Sequence, residues 1–173
     1  LLNVAGGLNH RPEELNLPLR LVMGTFAKVM SFPVIGHLLF NRIRQRSQIK
    51  RTLKQVYGNP EAVTDELVEF LHQPSCDPGA QKVMAAILRA PAGPRVSELL
   101  PDVNKPLLVL WGEADPWTPI SAGKIFQEAQ AKPPQADCVV TFQGIPATGH
   151  CPHDERPELV NPAILNWLAT QGF

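Results

Sequence analysis

The chain has 173 residues, 44% of them apolar, and a formal net charge of zero. That length suffices for one compact domain with a real core. The absence of a global basic field gives no support for a nucleic-acid partner, and three irregularly spaced cysteines (Cys76, Cys138, Cys151) do not make a disulfide framework.

The sequence starts on Leu1, with no charged or transit-like segment before LLNVAGGLN, and so reads as a fragment whose targeting signal would lie upstream. Leu1 to Ala5, followed by Gly6-Gly7, has the character of the end of a buried strand entering a loop. From about Glu13 to Leu100 the pattern is helical. Leu15 to Met30 is rich in Leu, Val, Met and Phe, Phe32-Pro33 interrupts it, and Val34 to Phe40 continues apolar. Arg20, Gly24, Lys28, Pro33 and Gly36 argue against one membrane span and for two short apolar helices covering something apolar.

Asn41 to Gln55 carries six basic residues and no acid. Arg42, Arg46, Lys50 and Lys54 recur every fourth residue, which predicts one stripe on a helix, with Ile49, Leu53 and Val56 on another face. The stripe reads first as the solvated face of an amphipathic helix, and alternatively as a contact for an anionic membrane surface. Asn59-Pro60-Glu61 predicts the start of a further helix with Asn59 as N-cap, burying Val63, Leu67, Phe70 and Leu71. Pro74 to Gly79 is expected as a turn, with Asp77 capping a helix over Ala80 to Arg89, and Ala90 to Arg95 as a loop.

Leu107 to Trp111 runs without a charge, as a strand buried on both faces of a parallel sheet does. Gly112 breaks it and Asp115 sits in the following turn, where α/β folds place their chemistry. A helix is expected over Ala122 to Ala131, then a strand over Cys138 to Phe142. The segment Gln143 to Gly149 leads to His150 in TGHCPHDERPE. A last helix carries Val160, Ile164, Trp167 and Leu168, and Asn161-Pro162 should restart or kink it.

Asp115 alone is explained as a turn residue, because Asp-Pro favours turns. A turn-borne Asp followed by a turn-borne His is also the second half of the order Ser…Asp…His. In that chemistry the imidazole makes a serine nucleophilic and the carboxylate fixes the imidazole's tautomer. His150-Cys151-Pro152-His153 has a ligand-like look, but no second cluster completes a metal site, and Cys151 as a nucleophile is disfavoured by its adjacency to His150. His153, Asp154 and Glu155 are expected to orient the loop and cap the final helix. None of Ser31, Ser47, Ser75, Ser97 and Ser121 lies in G-x-S-x-G, and Ser121 is explained as a helix cap.

The motifs GEADPWTP (112–119) and GHCPHDERPELVN (149–161) resemble the α/β-hydrolase superfamily, and the second is similar to the chloroplast pheophytinase and chlorophyll(ide) dephytylase group. So are LLNVAGGLN and the stretch from Leu39 to Ala80. The resemblance implies the C-terminal part of an α/β-hydrolase, parallel sheet strands six to eight with an inserted helical cap. It divides the chain into a core strand (1–8), a cap or lid (9–103) and the C-terminal part of the core (104–173). In that group Gln143 to Gly149 is a few residues longer than usual, and Pro162 falls where the last helix normally runs on. The implied catalytic residues are Asp115 and His150, with no cofactor and no metal. The nucleophilic Ser and the oxyanion-hole loop are expected upstream of Leu1. The implied activity is carboxylic ester hydrolysis of a hydrophobic, phytyl-type ester in the chloroplast, with contact to the thylakoid surface. A non-catalytic truncated paralogue acting as a binding module is the alternative, as is an epoxide hydrolase or dehalogenase-like member whose elbow residue is Asp.

Overall fold

A computed structural model describes residues 1–3, 16–91, 93–131 and 139–172. They fall into two compact units, one drawn from Leu1–Gly6, Leu53–Val63 and Pro94–Phe173, the other from Gly7–Thr52 and Thr64–Gly93.

The first unit is built on two parallel strands, β1 (Leu107–Gly112) and β2 (Val140–Ile145), with Leu107 opposite Val140 and Gly112 opposite Ile145. The start of the chain lies on the other side of β1. Leu2 bridges Leu110 in parallel, the Leu110 amide donating to the Leu1 carbonyl at 2.9 Å and the Asn3 amide to the Leu110 carbonyl at 3.0 Å. β1 is therefore central, and it is covered on both faces. Leu108 and Leu110 pack with Ile145 and Val160 against Ile164 and Trp167 of the long helix Pro157–Thr170. Val109 and Trp111 pack with Phe126 and Val140 against Ile125 and Ala129 of the helix Lys124–Gln130. An apolar run without alternation is what such burial requires, and each side chain so buried contributes about 1.5–3 kcal/mol.

Several boundaries differ from the sequence-based expectation. β2 continues past Phe142 because Ile145 is a core residue, 1% exposed. The turn before His150 is therefore Pro146 to Gly149 rather than Gln143 to Gly149. Cys138, and Val4 to Gly7 of the expected first strand, lie outside the described residues. A 3-10 turn, Ile120–Gly123, precedes α7 (Lys124–Gln130), and Ser121 sits inside that turn instead of capping it. α9 (Pro157–Thr170) runs unbroken through Pro162. The only bond forfeited there points at the Glu158 carbonyl in the first turn, and packing of Val160 and Ile164 holds both halves together. The unit also holds two short helices, Val96–Leu99 and Pro152–Glu155.

In the second unit α1 (Leu17–Ser31) and α2 (Pro33–Ile43) are two short helices meeting at 109°, and among the described residues no single helix is long and apolar enough to cross a membrane. Met30 and Phe40 close around Ala85 of α5 (Ala80–Arg89). Gly36 is required at the bend, because a Cβ there would lie 2.3 Å from the Met30 carbonyl oxygen. The apolar side chains Leu17, Leu21, Val22, Val34, Ile35 and Leu38 are exposed rather than covered.

The predicted basic stripe is divided. Arg42 belongs to α2, and α3 (Arg46–Val56) starts afresh. Arg46 meets Glu69 at 2.6 Å and Lys50 meets Asp65 at 2.6 Å, so these two cations face carboxylates of the next helix. Asn59 caps only a 3-10 turn, Pro60–Ala62, accepting from the Glu61 amide at 3.0 Å. The helix proper is α4 (Asp65–Ser75), capped by Thr64, whose hydroxyl oxygen accepts from the Leu67 amide at 3.1 Å. Starting there turns Val68 inward and leaves Phe70 and Leu71 exposed. Pro74 is tolerated inside the last turn of α4, and α5 is preceded by Gly79 at φ 94° rather than capped by Asp77.

Candidate active site

Asp115 and His150 stand on turns just beyond the C-terminal ends of β1 and β2, and the structure brings them together: His150 Nδ1 lies 2.7 Å from Asp115 Oδ2. The two turns cross closely at Gly112. A Cβ on Gly112 would sit 2.0 Å from the Gly149 carbonyl oxygen and 2.5 Å from that of Thr148. The glycine that ends β1 is thus demanded by the passage of the His150 loop, and the Ala114 amide ties the turns together by donating to the Thr148 carbonyl at 2.9 Å.

Asp115 is 5% exposed and its carboxylate is fully occupied. Oδ1 accepts from the backbone amides of Trp117 (2.8 Å) and Thr118 (3.0 Å). Oδ2 accepts from His150 Nδ1, from Asn3 Nδ2 at 2.7 Å and from the Thr118 hydroxyl. Burial pushes this carboxyl up, but the bonds from Thr118, His150 and Asn3 outweigh it and hold the group below its ordinary value. Asp115 is therefore an anion at neutral pH. An anionic acceptor at Oδ2 fixes the neutral His150 as the Nδ1–H tautomer, with its lone pair on Nε2. The Thr118 oxygen, 3.1 Å from Nδ1, accepts a share of the same proton while giving its own to Asp115.

Two groups in the site carry no motif signal of their own. Asn3, 4% exposed and at φ 37°, spans three elements. Its Nδ2 donates to Asp115 Oδ2 and, at 3.4 Å, to the Gly149 carbonyl, and its Oδ1 accepts from the Gly112 amide at 2.8 Å. Glu155, 6% exposed, lies on α8 (Pro152–Glu155). Its Oε2 accepts from the amides of Gly58 (2.8 Å), Asn59 (3.0 Å) and Gly149 (3.1 Å), and its Oε1 from Cys151 (3.3 Å). Asp154 accepts from the Tyr57 hydroxyl at 2.8 Å. The expectation that this run orients the loop agrees with these bonds, but no side chain caps α9, whose first residue is Pro157.

None of the five serines, all described, hydrogen-bonds to His150. Cys151 is half-buried, and burial pushes its thiol up, offset only in part by a hydrogen bond with Tyr57. A thiol so raised is a poor nucleophile at neutral pH. Trp117, 55% exposed, holds its ring centroid 5.9 Å from that of His150.

Parallel strands covered by helices on both faces, with a carboxylate and an imidazole on the turns past their ends, are the marks of an α/β-hydrolase fold. The sequence profile of the Alpha/beta hydrolase family matches residues 11–163, and the chain belongs to that family. The chloroplastic pheophytinase of Arabidopsis thaliana is 31% identical over 139 residues, 78% of this chain and 27% of that protein. The uncharacterized hydrolase YugF of Bacillus subtilis strain 168 is 27% identical over 132 residues, 76% of this chain and 46% of that protein. An α/β-hydrolase enzyme from a Medee basin deep-sea metagenome library superposes with a TM-score of 0.60 at 16% identity, over 97% of this chain and 54% of the other. At that identity the likeness speaks to the fold alone. The chain spans less than half the length of either curated relative.

Proposed function

We propose that this chain supplies the acid and the base of a serine-type carboxylic ester hydrolase, with His150 as general base and Asp115 as the residue that orients it. The observation that carries the reading is the 2.7 Å Nδ1–Oδ2 bond between loops at the ends of parallel strands. His150 Nε2 takes the proton from a serine hydroxyl supplied from outside Leu1–Phe173, and the serine oxygen attacks the ester carbonyl. Asp115 stabilises the imidazolium without taking its proton. His150 then returns the proton to the departing alcohol oxygen, and water cleaves the acyl-enzyme by the same two transfers. No cofactor takes part.

The substrate we favour is a hydrophobic ester, a phytyl ester of a chlorophyll-type pigment. The 31% identity to a chloroplastic pheophytinase supports it. We read residues 9–103 as the family's cap and place the protein in the chloroplast. The exposed cations Arg42, Arg51 and Lys54 are the side chains we assign to contact with the thylakoid surface.

The test is phytol release from a phytyl ester by the intact protein. Asp115→Asn and His150→Ala should each abolish nearly all turnover, and residues 1–173 alone should show none. Full turnover after His150→Ala refutes the reading.

A further inference from the structure

Glu155 is a buried carboxylate that forms no ion pair among the described residues, and the chemistry above leaves it idle. Its two oxygens are met by backbone amides. Two of them, Gly149 and Cys151, flank His150 directly, and the other two, Gly58 and Asn59, belong to a segment far away in sequence. The same segment grips the His150 loop by two further bonds. The His150 amide donates to the Val56 carbonyl at 3.1 Å, and the Tyr57 hydroxyl donates to Asp154. The approach is so close that a Cβ on Gly149 would lie 2.2 Å from the Gly58 nitrogen and 2.7 Å from Glu155 Oε1.

Such an arrangement does something specific. A peptide with both flanking amides bonded to one carboxylate cannot rotate about either neighbour without breaking a charge-assisted bond. The backbone of His150 is held by bonds that do not involve Asp115, so the imidazole is fixed at both ends: at Nδ1 by Asp115 and at its backbone by Glu155. We propose that Glu155 is a positioning residue for the His150 base, clamping the Gly149–Cys151 backbone onto the Gly58–Asn59 amides. Glu155 touches no reacting atom and acts only through His150. The inference rests on the reading of His150 as the general base. It deepens that reading by assigning the seat of the base to Val56–Asn59, in the stretch between Asn3 and β1.

The experiment uses the intact protein and two readouts. The far-downfield Nδ1–H proton resonance of His150, identified by its loss in Asp115→Asn, reports the His–Asp bond at temperatures well below unfolding. Steady-state hydrolysis of a p-nitrophenyl ester separates kcat from KM. Glu155→Gln keeps an oxygen toward the Gly58, Asn59 and Gly149 amides, sets an NH2 against the Cys151 N–H, and removes the charge from every one of these bonds. It should weaken or abolish the resonance and lower kcat about 10²-fold with KM changed little, as displacements near 1 Å do.

If Glu155→Gln does not fold, Glu155→Asp keeps the charge, withdraws the oxygens by one methylene and is read the same way. A folded Glu155 variant with the resonance and kcat of the unsubstituted protein overturns the proposal. So does a variant that is merely less stable while both readouts hold. A resonance that responds to Glu155 in a protein without ester turnover keeps the clamp and removes the ester reading. A resonance missing from the unsubstituted protein removes both.

Discussion

Replacing Asp115 by asparagine changes one atom and tests the whole hydrogen-bond scheme. The amide oxygen must face either the Oδ1 side or the Oδ2 side. On the first side stand the backbone N–H groups of Trp117 and Thr118, which cannot reverse. The oxygen should therefore stay there, and the new NH2 should meet the Oδ2 partners. The Thr118 hydroxyl can rotate to accept, and His150 can shift its proton to Nε2 and accept at Nδ1. Asn3 cannot adapt, because its Oδ1 is held by the Gly112 amide, so its NH2 faces the new NH2 across 2.7 Å. One buried donor left without an acceptor costs about 1–3 kcal/mol, and loss of the bonds to an ion adds to that. The tautomer change removes the base lone pair from Nε2, a loss of about 10⁴-fold in kcat in serine hydrolases of this design.

Adding Asn3→Asp to Asp115→Asn supplies the missing acceptor. Urea denaturation should show the double variant regaining much of the stability lost by the single one, and ester turnover should stay absent in both. A double variant no more stable than the sum of the two single changes refutes the bonding scheme. Retention of full turnover by Asp115→Asn refutes the role assigned to the carboxylate.

Gly149→Ala should be severely destabilising, because the added Cβ meets the Gly58 nitrogen at 2.2 Å and the Val56 carbonyl oxygen at 2.7 Å, both backbone. Overpacking of this kind costs about 1–3 kcal/mol or more, read as a fall in Tm, and an unchanged Tm contradicts the crossing. The pH dependence of stability follows from the lowered Asp115 pKa. Its contribution is fully present above the ordinary value of 3.8 and is lost as pH falls through the lower folded value. Between neutral pH and pH 3.8 the gap in unfolding free energy between the unsubstituted protein and Asp115→Asn should hold from this group, and below 3.8 it should narrow. A gap that narrows already near pH 6 contradicts the assignment.

What was legible in the sequence was what local chemistry dictates. The short uncharged apolar run Leu107–Trp111, bounded by Lys105-Pro106 and Gly112, reads as a strand covered on both faces, and Gly112, Asp115 and His150 follow from turns at strand ends. Asn3 was not legible, because its three bonds reach residues more than a hundred positions away and its type is ordinary at the end of a strand. Glu155 was read only as one of several loop-orienting acids, since its partners are backbone amides, which carry no residue-type signal. Two helix caps differ for a related reason, although α5 starts at Ala80 as expected. Asn59-Pro60 and Asp77-Pro78 are good caps by type, but Thr64 and Gly79 lie nearer the residues that packing turns inward, Val68 and Ala85. Pro74 and Pro162 sit inside their helices without breaking them, because a proline near a helix end or beside buried side chains forfeits a single bond.

The tie between Val56–Asn59 and the His150 loop divides one very long closure into two. Without it, joining Leu2 to Leu110 would close the entire intervening stretch as a single loop. With it, the residues before Val56 and those after Asn59 close separately. The entropic cost of a flexible loop grows only with the logarithm of its length, about 0.6 kcal/mol for each doubling. The closure cost on either side therefore changes little with the length of the flexible segments there, whereas a single inserted residue between Val56 and Asn59 shifts every bond that holds the seat of His150.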